Sequence, residues 1–387
     1  MTQPHSPASF ATRAVHAGRD DLTELGVHVA PIDLSTTYPA ADSAAEAMRM
    51  DEFAAGAQPA GSPIYARLHN PTVARFESAL AELENAEASV AFASGMAAMT
   101  ACLLAASQGN QKTHVVAVRP VYGGTDLLLN SGLLGTNVTW VDADKVAAAI
   151  QPDTGLVIVE TPANPTLTEL DLAQVAHACG DVPLLVDNTV ATPVLQRPLE
   201  HGASIVLHSA TKSLGGYGDV VGGIVACSET FARGLRSVRI ATGGILHPLA
   251  GYMLLRGLAT LPIRVRHASE NAHELALRLQ ADERVAHVYY PGLNADRPGT
   301  NQMSGGGSLV SFETVDDAKD VVLGVNLITP AVSLGSVDTL IQHPASLTHH
   351  VVNSDDRAAC GISDKLLRLS VGLEDVDDLW ADLDQAL

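Results

Sequence analysis

Basic and aromatic side chains are scarce in this chain: Lys and Arg number 23 among 387 residues, against 43 Asp and Glu, and aromatics make up 4%. The formal charge of −20 offers no basic footprint to a polyanion, which argues against nucleic acid as a partner and favours solubility. Cysteine is scarce too. Cys102, Cys179, Cys227 and Cys360 lie far apart with no CxxC pair, which argues against a disulfide framework and against a zinc or other metal site. Three of them sit in apolar or alanine-rich runs and read as buried thiols in a reducing compartment. Apolar residues never run uninterrupted for the ~18 positions of a membrane span, and the N-terminal MTQPHSPASFATRAVHAG has no basic segment leading into an apolar one. The chain is therefore expected to be cytoplasmic, with no membrane partner.

What is present is ordinary for a globular protein with one large and one smaller domain: 47% hydrophobic and 17% charged residues. Residues 1–60, rich in Pro, Gly and Ala and weak in periodicity, read as an N-terminal arm that includes a loop from Phe53 to Ser62. Residues 61–250 hold strand-like runs near 88–94, 114–118, 138–142, 155–160, 183–187, 204–208 and 221–227, with helical runs after most of them. Strands apolar on both faces and alternating with helices predict a mostly parallel sheet covered on both sides, an α/β large domain. A long helical stretch begins near His247. Residues 251–387, with VAHVYY, SLVSFE and LLRLSVG among helical segments, read as a smaller α+β C-terminal domain. The triple glycine 305–307 precedes a strand instead of joining a strand to a helix, so it is no dinucleotide fingerprint.

Polar residues gather at strand ends, and Lys212 stands out among them. It follows the apolar run SIVLH and sits close to Ser209 and Thr211. A lysine at the mouth of a buried strand is costly to keep charged, so its amine becomes a nucleophile toward an aldehyde. VPLLVDNT ends another apolar strand with Asp187, a carboxylate in need of a cation. A lysine that forms an imine, beside an aspartate that faces a ring nitrogen, is the pair that pyridoxal phosphate requires. Each residue alone has a plainer reading, a solvated lysine and a turn-capping aspartate. A third feature shifts the balance. In ASVAFASGMAAMTACLLAA a strand meets Ser94, Gly95 and Met96 and then an alanine-rich helix, whose free N-terminal amides and positive dipole end suit a phosphate.

With YARLHNPT, ASGMAA, VYGGT, ETPANPT, VDNT, HSATK, SLGSVDTLIQHPASLTH and RLSVGLED in this order, the chain resembles the Cys/Met-metabolism family of pyridoxal-phosphate enzymes, which includes cystathionine γ-synthases, cystathionine γ-lyases and methionine γ-lyases. The resemblance implies the fold type I architecture of pyridoxal-phosphate transferases. It implies that Tyr122 stacks on the cofactor and exchanges protons, and that Gly95, Met96, Ser209 and Thr211 bind the phosphate. By the same resemblance Asn164 lies near the cofactor's phenolate oxygen, Ser333 near the substrate carboxylate, and Arg368 pairs with that carboxylate. Tyr65 and Arg67 match a pair that reaches the phosphate from a neighbouring subunit, which implies a homotetramer of dimers with shared sites.

The shared machinery does not separate elimination from replacement, so specificity rests on the rim. Cystathionine-handling members resemble one another in a glutamate where this chain has Val332, and an apolar side chain suits a thioether methyl better than an ammonium. Gly218 stands where many of those enzymes carry serine. Gly124 replaces the cysteine usual in methionine γ-lyases, and Tyr217 a common histidine. The expectation is a carbon–sulfur γ-lyase acting on methionine, to give methanethiol, 2-oxobutanoate and ammonia. Alternatives are a cystathionine γ-lyase, a γ-replacement enzyme (cystathionine γ-synthase or O-acylhomoserine sulfhydrylase), or a family member that keeps the fold for binding or regulation.

Overall fold

The computed structural model describes residues 8–40, 42–58, 61–108, 112–293, 302–350 and 353–387, so residues 59 and 60 of the expected loop 53–62 lie outside the described residues. Runs dominated by Val, Ile, Leu and Ala form the frame: β1 (Ala88–Phe92), β2 (His114–Val118), β3 (Asn137–Val141), β4 (Thr154–Glu160), β5 (Leu184–Asp187), β6 (Ile205–His208) and β7 (Gly223–Cys227). They make one sheet in the order β1-β7-β6-β5-β4-β2-β3. Pairings from β3 across to β6 are parallel, whereas β7 runs antiparallel to both β6 and β1. Each strand falls inside, or within one residue of, the run expected from the sequence.

These strands are apolar on both faces because helices cover both. On one side Ala98, Met99, Cys102 and Leu103 of the helix Gly95–Ser107, with Leu235 and Val238 of Glu229–Thr242, pack on Val90, Ile158, Leu185 and Val225. On the other, Phe76, Leu80 and Leu83 of the helix Pro71–Glu84 share a core with Ala91 and Ile224, and Leu172 and Val175 with Val157 and Val186. Only the edge strand β3 is partly open to solvent.

A second sheet, in the order β10-β11-β12-β9-β8, comprises β8 (Val285–Tyr289), β9 (Leu309–Thr314), β10 (Thr329–Pro330), β11 (Leu340–Gln342) and β12 (Leu366–Ser370). The helix Pro248–Gln280 joins the two sheets. Its first half contributes Leu254, Leu258 and Leu261 to the core beneath the large sheet, and its second half lays Ala272, Leu275 and Leu279 against Val310, Phe312 and Leu367. The expected domain boundary at residue 250 falls in its first turn. In the region read as an arm two helices form, Phe10–His16 capped by Ser9 and Ser43–Ala54 capped by Asp42. Among the described residues no helix is long and apolar enough to cross a membrane, and no group of three or more His, Cys, Asp or Glu is placed to hold a metal ion.

The same long helix presses on the loop that carries Lys212. A Cβ on Gly257 would overlap the carbonyl oxygen of Leu214, so the helix approaches the loop backbone more closely than any other residue permits. Arg264, about two turns further on, donates to the carbonyls of Ser213 at 2.8 Å and Gly257 at 2.7 Å. Gly257→Ala should therefore lower stability by about 2 kcal/mol through overpacking, read as a shift in the urea midpoint at unchanged m-value. An unaltered midpoint would show that the loop is not pinned there.

Candidate active site

The C-terminal ends of β4, β5 and β6, the N-terminus of the helix after β1, and β12 with the loops beside it enclose a cavity of about 730 Å³. Gly95, Met96, Tyr122, Asn164, Asp187, Ser209, Thr211, Lys212, Val332, Ser333 and Arg368 all line it. Tyr65 and Arg67 do not. Tyr65 is exposed, the Arg67 guanidinium lies 5.6 Å from the centre of its ring, and Arg67 Nη1 donates to the Ile240 carbonyl at 2.8 Å.

Two cations meet at one end of the cavity. Lys212 Nζ donates to Ser333 Oγ at 2.8 Å, and burial together with the nearby Arg368 charge pulls its pKa down to about 8. Arg368, on β12, is 2% exposed. Its Nη1 donates to Asn164 Oδ1 at 2.7 Å and its Nη2 to the Ser333 carbonyl, while the Gln342 amide oxygen, oriented to accept, lies 3.0 and 3.1 Å from its two terminal nitrogens. Burial lowers its pKa to about 10, an effect that the Glu160 charge opposes. Ser333 holds a φ of +96°, a conformation that non-glycine residues rarely adopt and that turns its hydroxyl to Lys212 and its carbonyl to Arg368.

Two acids line the same cavity. Asp187 closes β5, and its Oδ1 accepts from Thr189 N at 3.0 Å and Thr189 Oγ1 at 2.5 Å. Burial pushes its pKa up; the two Thr189 hydrogen bonds and the charge of His208 work the other way. His208 is itself buried against Glu84, at 2.5 Å. Among the described residues no cationic side chain forms an ion pair with Asp187. Its register partner on β4 is Glu160, which burial and the Asp187 charge push up to about 8. Glu160 and Thr189 are site residues that reading the sequence did not single out. Both lie within quoted motifs, and their strand-end places beside Asp187 were the available signal.

The cavity also holds an anion cup. Ser94 caps the helix Gly95–Ser107, with its Oγ accepting from Ala97 N at 3.1 Å, and the first helical amides have no intrahelical carbonyl to bond. A Cβ on Gly95 would stand 3.0 Å from Ser209 Cβ, so the helix end and the strand end abut. Thr211 Oγ1 is committed to Gly222, donating to its carbonyl at 3.1 Å and accepting from its N–H at 3.0 Å. The Tyr122 ring fills the space above Gly124, where an added Cβ would lie 2.6 Å from a ring carbon. At the mouth, Val332, Leu347 and Leu127 are exposed, and Glu160 and Asp187 are the only carboxyl groups among the lining residues.

The residues present fit a small group bearing an aldehyde, a basic ring nitrogen and a phosphate. A desolvated amine suits the first, the Asp187 carboxylate, which makes no contact ion pair among the described residues, the second, and the amides of Gly95 and Met96 with the Ser209 hydroxyl the third. Pyridoxal phosphate carries all three on one ring, and the class of protein is accordingly that of fold type I enzymes dependent on this cofactor. Over residues 11–387 the chain matches the family described as Cys/Met metabolism PLP-dependent enzyme, and it belongs to that family. It is 67% identical over 377 residues to the L-methionine gamma-lyase of Streptomyces avermitilis, covering 97% of this chain and 88% of that one. The cystathionine gamma-lyase of Bacillus subtilis is 43% identical over 84% of this chain and 88% of its own. The crystal structure of a cystathionine gamma synthase from Xanthomonas oryzae pv. oryzae in complex with aminoacrylate and cysteine superposes with a TM-score of 0.89 at 36% identity, covering 98% of each chain.

The lowered pKa of Lys212 has a direct readout. Capture of pyridoxal phosphate by the apoprotein should rise about tenfold per pH unit below the amine pKa and level off above it, with the bend at about 8. A rate still climbing toward the ordinary lysine value of 10.5 would show that the amine is not desolvated.

Proposed function

We propose that this protein is a carbon–sulfur γ-lyase whose preferred substrate is L-methionine, converting it with one water to methanethiol, 2-oxobutanoate and ammonia. The observation that carries the reading is the mouth of the cavity. Arg368 offers a fork to the α-carboxylate deep inside, while Val332 and Leu347 meet the γ end, where no lining acid is placed to receive a distal ammonium. The name of the Streptomyces relative agrees. When bound, pyridoxal phosphate supplies an aldehyde that condenses with amines and a ring that accepts the electrons released at Cα.

The remaining work falls to this chain's own groups. Asp187 would hold the ring nitrogen and keep a proton on it, and its bonds to Thr189 fix its orientation. Gly95, Met96 and Ser209 bind the phosphate, and Thr211 joins them when its hydroxyl proton turns from Gly222. Lys212 Nζ would take the substrate Cα proton, deliver it to the cofactor carbon that bore the aldehyde and, neutral again, take a Cβ proton; Ser333 Oγ aims it. Tyr122 Oη delivers a proton to the departing sulfur. Asn164 holds Arg368 and would lie near the cofactor's phenolate oxygen.

We further propose that Tyr65 and Arg67 serve the phosphate of an adjacent subunit in a homotetramer, since both stand clear of the cavity of their own chain. The four cysteines are free, in keeping with a reducing, cytoplasmic setting.

A panel of methionine, cystathionine, homocysteine and O-acylhomoserines tests the reading. Methionine should have the highest kcat/KM, and Val332→Glu should lower it while raising that for cystathionine about tenfold, the worth of one charge-assisted contact. Preference for cystathionine, or consumption of an acylhomoserine only with a thiol, would assign the alternative reaction. Mixing Arg67→Ala with Lys212→Ala subunits, each inactive alone, should restore activity in hybrids. Failure to do so would confine the site to one chain.

A further inference from the structure

Glu160 is a buried acid for which the reaction above has no use. It ends β4, lines the cavity and is 4% exposed. Its Oε2 accepts from the backbone N–H of Tyr122 at 2.6 Å, and its Oε1 from the backbone N–H of Asn164 at 2.9 Å. Two amide donors from separate loops thus converge on one side chain. Among neutral and charged side chains, only a carboxylate presents two acceptor oxygens and no donor; a glutamine in its place would set an NH₂ against one of those N–H groups. A need for capping alone would not choose this group, because an acid there is costly: burial first, and then the charge of Asp187 beside it, push its pKa up to about 8.

What the two amides have in common is function. Tyr122 carries the phenol that must reach the sulfur leaving Cγ, and Asn164 Oδ1 accepts from Arg368 Nη1, which anchors the other end of the same substrate. We propose that Glu160 is the positioning residue that sets the spacing between proton donor and carboxylate anchor, by holding the backbones of Tyr122 and Asn164 on one carboxylate. This rests on the roles of Tyr122 and Arg368 given above.

Holoenzyme carrying Glu160→Gln or Glu160→Asp separates this role from a structural one. Gln removes one acceptor, and Asp is one methylene too short to keep both. Norleucine, methionine with the sulfur replaced by a methylene, has no leaving group, so its binding, read from the cofactor absorbance, reports the anchor alone. Both variants should keep their cofactor and melt near the wild type. The norleucine dissociation constant should weaken about tenfold, and kcat for methionine should fall about a hundredfold from misplacement of the phenol. If either variant folds with kcat and norleucine affinity per bound cofactor unchanged, whatever its melting temperature, the proposal is overturned. Wild-type protein that binds norleucine yet cleaves no methionine would refute the γ-lyase reading, and the norleucine comparison would still decide the role of Glu160.

Discussion

Two cations, Lys212 and Arg368, and two acids, Asp187 and Glu160, share one cavity without a contact ion pair between them. Direct pairing would be the least costly way to bury such charges. Instead each is held by neutral groups: Ser333 for the lysine; Asn164, the Ser333 carbonyl and Gln342 for the arginine; Thr189 and backbone amides for the acids. The opposite charges are left for a ligand to supply. A cationic ring nitrogen answers Asp187, and a carboxylate answers Arg368. The same isolation lowers the pKa of Lys212 to about 8, since burial and the nearby Arg368 charge both oppose its ammonium form.

That arrangement depends on the two sheets being fixed relative to each other. The acids and the lysine loop issue from β4, β5 and β6 of the large sheet, whereas Arg368 and Ser333 come from β12 and the chain ahead of β11. The helix Pro248–Gln280 contributes to the cores of both sheets, and Gly257 and Arg264 tie it to the lysine loop. Burial of apolar side chains along this helix therefore aligns a nucleophile beside one sheet with an anion site on the other.

Much of this was legible in the sequence because strand ends in a doubly covered sheet must place polar residues somewhere, and Lys212 and Asp187 follow apolar runs too uniform for an edge strand. The seven strand positions and the long helix were readable for the same reason. Glu160 was not, because an acid after TGLVIV reads equally well as a solvated strand end; only its register opposite Asp187 and its two amide donors show it to be buried. Thr189 and Gln342 act through hydrogen bonds that follow from folded geometry alone. The helices at Phe10–His16 and Ser43–Ala54 were lost in an Ala- and Pro-rich stretch whose short apolar faces show little periodicity. At Gly124 the sequence showed a missing side chain, while the structure shows the Tyr122 ring occupying its place.

The central claim is that the buried amine of Lys212 is where the cofactor attaches, opposite an acid with no cation of its own. Borohydride reduction of the cofactor-loaded protein, followed by peptide mapping, tests it most directly. The account predicts the pyridoxyl mass on the peptide that carries Lys212 and its absence from Lys212→Ala. Label on another lysine, or none at all in protein that retains its cofactor colour, would contradict it.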